Sequence, residues 1–468
     1  MWIFLFALLV ILAGCTREQV GGPLPIIYEG TETILDVLPA AEMPVEVTPE
    51  NAPKMIRVLI NISGFAGRVH TAVSFTATGA FSVLGVEERW EFGAGEIFAL
   101  HDAADMRGEE RLWITGNDPD TRLQIVGLGR NWPDGSSPLY RGALEISPTP
   151  GGFIVVNELL LEEYLYAVVP SEMPSAFGLE ASMVQAIAAR TFAVRQFYEN
   201  RFRAYGAHID DSVISQVYNN LPETEIAIAA VRATRGLVLT YGGQVVVANY
   251  FSTSGGTTAN AGEVWSAEGV FPGITPPHLR AQAQFDADFE VGDLRLEEYA
   301  SAFFRNGNVP GIDRDAPWFR WQVLMTGEAL NRAVTGIGPL EEMVVTRRGQ
   351  GGNIMEMLFV GTYATRVVQT EFAIRTLLAP RNSRITRHDG SVLNGWSMMP
   401  SAFFTMEKER DAAGRITAVT FFGGGHGHGV GMSQMGARAL LDAGFTYREV
   451  LLHFYPGVEI TNLFYSLK

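Results

Sequence analysis

Short runs in which β-branched and aromatic residues alternate with polar ones fill the chain from Met55 to residue 157, and a helical spacing then takes over. "MIRVLI", "VHTAVSFT" and "AFSVLG" read as strands, and "GNDPD" and "PTPGG" between later runs carry turn chemistry. A β-rich part is therefore expected over 55–157. From 158 the spacing changes. "LLLEEYLYAVV" (159–169) predicts a short helix stopped near Pro170, and "GLEASMVQAIAARTFAVRQFYENR" predicts a long one. On the long helix Leu179, Met183, Ile187, Val194 and Tyr198 form one buried stripe, and Ala186, Ala188 and Ala189 allow close packing. Arg190 falls on that stripe, either solvated or as a partly buried, paired guanidinium. Strands resume in "RGLVLTYGGQVVVANYFST", where "YGG" marks a hairpin turn. The stretch 158–268 thus mixes helix and strand. The stretch 269–340, Pro-rich and then helical, reads as a smaller lobe or an insertion. The stretch 341–468 runs strand, helix, strand and closes on helices after "MSQMGARALLDAG" and in "YREVLLHFYPG". The expected class is α+β, with a β-rich N-terminal part, a long buried helix and a second, smaller lobe.

The first residues, "MWIFLFALLVILAGCTREQV", break this pattern with an unbroken apolar run that suits a signal-peptide core better than a bilayer span. Leu12-Ala13-Gly14-Cys15 resembles the bacterial lipoprotein signal, with 1–14 removed and Cys15 lipidated; the alternative is an ordinary secretory peptide with an incidental cysteine. No Lys or Arg precedes the apolar run, which is atypical of such signals. Cys15 is the single cysteine of the chain, so internal disulfides and thiolate metal ligation are excluded. Residues 15–54 hold Pro23, Pro25, Pro39, Pro44, Pro49 and Pro53 among acidic residues and are expected to be an extended tether, with "PIIYEG" able to pack locally. The balance of 35 Lys+Arg against 51 Asp+Glu gives a formal charge of −16, which argues against a nucleic-acid partner. A glycan or a peptide fits better.

Three segments carry candidate chemistry. In "GGGHGHGVGMSQMGA" (423–437), His426 and His428 stand two apart and would share one side of an extended backbone, where both could hold a metal; no companion ligands are evident. The alternative reading is backbone laid bare by glycines such as Gly429, so that a polymer approaches N–H and C=O groups closely. In "VVPSEMPSAFG", Glu172 lies in a loop between Pro170 and Pro174, with Val168, Val169, Met173 and Phe177 as apolar neighbours able to raise its pKa. A helix-capping or dipole role is the competing interpretation. In "FSTSGGTTANAGEVW", Ser254, Gly255, Gly256 and Thr257 could form a backbone nest for ligand oxygens, or simply a connecting loop.

Taken together and in this order, "VNELLLEEYLYAVVPSEMPSAFGLEASMVQAIAARTFAVRQ", "DSVISQVY", "AVRATRGLVLTYGGQVVVANYFSTSGGTTANAGEVW" and "GGGHGHGVGMSQMGARALLDAG" resemble the stage II sporulation protein D family, also called the LytB-type amidase-enhancer domain. The resemblance covers 55–468. It implies a glycan groove between two lobes, peptidoglycan as substrate and lytic transglycosylase activity without a cofactor. It implies Glu172 as the catalyst. Ser254, Gly255, Gly256, Thr257, His428, Gly429, Ser433 and Gln434 would contact the sugar. The alternative within the same family is a non-catalytic glycan binder that enhances a cell-wall amidase. His428, not His426, matches the motif histidine. Two positions depart from the family pattern. Some members carry a Cys/His zinc site before "SQVY", whereas this chain offers His208, Asp210 and Asp211 without a cysteine. Many members have His where this chain has Phe251.

Overall fold

The computed structural model describes residues 26–29, 52–130, 137–199, 201–285 and 288–464. The signal segment 1–14, Cys15 and most of the expected tether lie outside them. Within that tether Ile26–Glu29 forms a strand parallel to Thr365–Gln369, so this part is docked. Its Ile-Ile-Tyr sequence supplies the β-propensity for that pairing.

The class is α+β. The β-rich N-terminal part contains a seven-stranded sheet in the order Ile209–Asp210, Met55–Leu59, Gly152–Leu160, Ala143–Thr149, Leu112–Gly116, Phe81–Leu84, Arg89–Phe92. Its long strand Gly152–Leu160 is buried from Phe153 to Asn157, in keeping with the unbroken apolar run Phe153-Ile154-Val155-Val156. A four-stranded sheet (Phe98–Leu100, Val73–Ala77, Leu123–Ile125, Leu139–Tyr140) covers it, with Val73, Phe75 and Ala77 turned inward at the period of two.

Eight α-helices are described: α1 Leu161–Glu172, α2 Leu179–Glu199, α3 Glu225–Ala233, α4 Glu297–Arg305, α5 Gly327–Ala333, α6 Glu371–Leu377, α7 Gln434–Asp442 and α8 Tyr447–Phe454. Two expectations need correction here. Glu172 is not in a loop: helix α1, which ends near Pro170 as expected, runs through the proline to Glu172, and the Met173 N–H closes on the Val169 carbonyl at 2.9 Å. A proline in a last turn removes one bond without disrupting a following helix. Helix α2 is not striped but buried nearly all round from Ala181 to Gln196, while Leu179, expected inside, is 46% exposed. The alanines bring α1, α3, α7 and α8 close on every side. Arg190 is fully buried and bidentate to Glu162, with both contacts at 2.8 Å. Its charge is tolerated there because the guanidinium also donates to the Leu237 carbonyl.

Three separate apolar clusters result among the described residues, the smallest formed by Leu59, Ile154, Val156, Phe202 and Ala207. Of the other two, the larger joins the β-rich part to the helices and takes in Phe319, Val430 and Phe454. The smaller lies between Trp321 and Phe421 and includes Met357, Phe359 and Phe404. Strand Trp321–Thr326 shows the alternation that builds it: Trp321, Val323 and Met325 are buried, and the residues between them are exposed.

Candidate functional site

Glu172 is the last residue of α1, placed there because the helix persists past Pro170. The next segment turns through Met173, fully buried, and Gly178 into α2. Three other pieces of chain meet at the carboxyl. The Val217 N–H donates to Oε1 at 2.6 Å. The Tyr250 hydroxyl and the Gln434 side-chain amide also face it. The Gln434 amide donates to the Glu172 backbone carbonyl at 3.0 Å and to Gln185 Oε1 at 3.3 Å. Gln216 donates to the Tyr250 hydroxyl at 2.9 Å and to the Ala189 carbonyl at 3.2 Å, and accepts from Tyr164 at 3.3 Å.

Tyr250 reaches this place because Tyr250–Phe251 pairs in parallel with Met432–Ser433, opposite residues that lead directly into α7. Glu172 retains partial exposure as a residue, yet its carboxyl is enclosed. Desolvation raises its pKa to about 7, against the opposing effect of the Val217, Tyr250 and Gln434 donors. Burial raises the Tyr250 phenol well above its ordinary value, and the facing carboxylate adds to this, so it stays a neutral donor. The cluster is thus a carboxyl able to hold or release a proton near neutrality, fixed at one oxygen and hydrogen-bonded through neutral groups.

A second carboxyl, Asp313, was not flagged by sequence reasoning. It is 3% exposed, and burial raises its pKa against the pull of its donors. The Ser254 N–H donates to it at 2.7 Å, the Ser254 hydroxyl at 3.0 Å and the Ser433 hydroxyl at 2.9 Å. The Ser433 oxygen also caps α7 by accepting from the Gly436 N–H at 3.1 Å. Ser254 and Ser433, expected to face sugar, are instead held by this aspartate. The Thr257 hydroxyl donates to the Gly351 carbonyl at 2.8 Å. Thr257 borders a concavity of about 210 Å³ with Gln282, Phe285 and Leu294 that contains no residue of the Glu172 cluster.

The glycine strip likewise departs from expectation. Its backbone is not laid bare. The N–H groups of Gly424, Gly425 and Gly427 donate to the carbonyls of Phe403, Trp318 and Pro400, each at 2.9 Å, and the Gly429 carbonyl accepts from Ala259 at 2.7 Å. A Cβ on Gly255 would sit 2.5 Å from the Gly425 nitrogen, so these two glycine stretches are packed backbone against backbone. Gly429, at φ +82, would drive a side chain into the Phe403 ring, and Gly256 approaches Phe303. Glycine is needed here because protein occupies the space.

His428 accepts the Val430 N–H on Nδ1 at 3.1 Å and meets the Tyr250 carbonyl with its other nitrogen. Its ring lies against Trp265 (5.0 Å between centroids) and Phe251 (5.6 Å). Burial lowers its pKa to about 3, which keeps it neutral. It holds the strand that carries Tyr250. Phe251, where a polar group is absent, fills the space beside this ring. His426 faces elsewhere, stacked on Trp318. Among the described residues no group of three or more His, Cys, Asp or Glu is placed to hold a metal. In the segment before "SQVY", His208 accepts from the Arg57 N–H at 3.1 Å and Asp211 takes the Arg130 guanidinium at 3.0 and 2.6 Å.

Tyr250, Gln216 and the Val217 N–H are the members of the cluster that sequence reasoning missed. The only signal was their place inside the segments "DSVISQVY" and "ANYFST".

Residues 149–241 match the family model described as stage II sporulation protein (SpoIID), and residues 266–431 match a domain of unknown function. The amidase enhancer of Bacillus subtilis (strain 168) is 27% identical over 316 residues, 64% of this chain but 40% of that protein. The chain therefore spans well under half of that relative. Stage II sporulation protein D of the same organism is 27% identical over 354 residues, covering 70% of this chain and 84% of that protein. An uncharacterized protein of Brachyspira hyodysenteriae is 28% identical over 324 residues, 69% and 72% of the two chains. Glu172 lies in the first matched stretch and His428 in the second; Tyr250 and Gln434 lie in neither.

Proposed function

We propose that this protein, which belongs to the stage II sporulation protein D family, is a peptidoglycan lytic transglycosylase in which Glu172 is both acid and base. The observation that carries the reading is a lone carboxyl with a pKa of about 7, held at one oxygen by the Val217 N–H. Glycoside hydrolysis ordinarily needs two carboxyl groups. A lytic transglycosylase needs one, because the attacking 6-hydroxyl belongs to the same muramic acid and is already tethered. With Oε1 occupied by Val217, Oε2 carries the proton. Glu172 protonates the glycosidic oxygen as the C1–O bond breaks. The carboxylate then takes the proton of the 6-hydroxyl as that oxygen bonds to C1, leaving a 1,6-anhydro end and a regenerated acid. Tyr250 and Gln434 orient the carboxyl and face the sugar beside it. Asp313 cannot serve as the second carboxyl, since both its oxygens accept bonds from Ser254 or Ser433.

The substrate is the glycan strand, peptide-free in our reading, lying in a groove between the 158–268 part and the region that follows it. Cys15 would anchor the protein outside the cytoplasm on a bacterial membrane. No helix among the described residues is long and apolar enough to cross one. The likeness to an amidase enhancer favours a second reading, in which the same cluster grips glycan and presents it to a cell-wall amidase. Incubating the protein with peptide-free strands and analysing the products by mass spectrometry separates the two. The expected result is 1,6-anhydro ends, lost in Glu172→Gln while the variant still sediments with strands. Binding without any cleavage by the wild type would leave the second reading.

A further inference from the structure

Outside the Glu172 cluster the described structure holds an aromatic corner that no step above uses. Trp318 and His426 stack at 4.8 Å with 15° between their planes. Trp396 stands edge-on to Trp318 at 5.9 Å and to His426 at 6.3 Å, and is 37% exposed. The Arg387 guanidinium lies 5.3 Å over the Trp318 ring. Burial lowers the His426 pKa to about 3, so the stacked ring is uncharged.

Two exposed arginines border this corner. The Gly395 N–H donates to the Ser383 carbonyl at 3.0 Å and the Trp396 N–H to the Pro380 carbonyl at 3.1 Å. Arg384 pairs with Asn394 in the adjoining ladder. The segment holding Arg381 and Arg384 therefore runs alongside Trp396. Among the described residues neither arginine has a carboxylate within ion-pair distance. Free cations next to an exposed indole are notable in a chain of formal charge −16.

The corner is also continuous with the Glu172 cluster. The His426 N–H donates to the Thr253 carbonyl at 2.9 Å, and Thr253 follows Tyr250 by three residues. At an extended rise of about 3.3 Å per residue, that is roughly 10 Å of backbone.

We propose that Trp396, Trp318 and His426, with Arg381 and Arg384 at their edge, form a distal subsite for an anionic N-acetylated sugar of the strand cleaved at Glu172. This rests on the reading of the glycan strand as substrate. A pyranose ring presents an apolar C–H face that packs on an indole, while its hydroxyls and N-acetyl group stay in water. In a peptide-free strand, each muramic acid also carries a lactyl carboxylate, which suits the arginine fork. A strand held at both places is fixed in register across the scissile bond.

The test uses the full chain carrying Glu172→Gln, so that strands bind without being cut. Two probes are compared, peptide-free peptidoglycan strands and chitin oligomers of matched length, which lack the lactyl carboxylate. Trp396→Ala is expected to weaken both by about tenfold. Arg381→Ala with Arg384→Ala is expected to weaken the strands several-fold and flatten their salt dependence, with chitin oligomers unchanged. Both positions are exposed, and circular dichroism checks that the variants fold. Unchanged affinity of Trp396→Ala for both probes overturns the subsite, and 1,6-anhydro products from the wild type would still uphold the function of Glu172. Equal losses for both probes in the arginine variant overturn the anionic preference. Failure of every form to bind either probe overturns the subsite and the substrate together.

Discussion

Glu172 and Asp313 are both enclosed carboxyl groups with pKa raised by burial, and they stand on opposite sides of one dipeptide. Ser433 holds Asp313 and Gln434 faces Glu172. Their surroundings differ in a way that assigns their work. Asp313 is 3% exposed, and three donors, two of them hydroxyls, occupy both its oxygens. Glu172 has one backbone donor at 2.6 Å, neutral side chains around it, and residual access to solvent. A buried carboxyl in a residue closed to solvent is a staple, and one in a partly exposed residue with a pKa near neutrality can move a proton. Each carboxyl has three donors; what separates them is that Asp313 is closed to solvent and Glu172 is partly exposed.

That contrast can be broken most directly at Glu172. Glu172→Gln should lower the rate of forming 1,6-anhydro ends by about 10²–10⁴-fold, the usual contribution of an acid–base group, with strand binding kept. Asp313→Ala should act on the fold instead. It leaves the Ser254 N–H and two hydroxyls unpaired in a buried site, and a loss of about 3 kcal/mol or more is expected in urea unfolding. If Asp313→Ala kept its stability and lost only cleavage, the staple and the acid would have been assigned the wrong way round.

The pH dependence sharpens the comparison further. The folded pKa of Glu172, about 7, lies above the ordinary 4.5, so the folded state holds a proton that the unfolded state has released. Stability should therefore fall as pH rises from about 4.5 to about 7 and level off above it. Glu172→Gln, which cannot ionise, should remove this fall and be more stable than wild type at pH 8 by about 3 kcal/mol. Unfolding at pH 5 and pH 8 measures this directly. Gly429→Ala, placed at φ +82 against Phe403, should cost about 2 kcal/mol in the same assay and lower cleavage only as folding is lost. The smallest effect is expected from Tyr250→Phe. Removing a donor that favours the carboxylate should move the alkaline limb of the cleavage profile to higher pH and slow cleavage by about tenfold.

Much of the fold was legible along the chain. The period-two runs of 55–157 became sheets, and every helix run flagged after residue 158 contains a helix. What failed was local. Pro170 reads as a helix stop, but at the end of α1 the lost bond is tolerable, and the two extra residues carry Glu172 to the cluster. The stripe on α2 was invisible as a complete burial because alanines count as neutral in a periodicity argument. The glycine strip stands out along the chain, but the reason for its glycines is not written there. Sequence cannot tell whether room left by glycine is filled by a ligand or by another loop, and here Gly255 and Phe403 fill it.

The sequence by itself determined the α+β class, the isolation of Glu172 among apolar neighbours, the absence of thiol ligands and the segments from which the site is drawn. Only the tertiary structure decided which side chains meet. Val217, Tyr250 and Gln434 stand 45, 78 and 262 residues from Glu172 and come to it through a loop, a parallel strand pair and a helix start. It likewise decided that Ser254 and Ser433 serve Asp313. Local pattern encodes the conformation of a segment, whereas the donors around a buried charge depend on contacts between segments that no short-range pattern records.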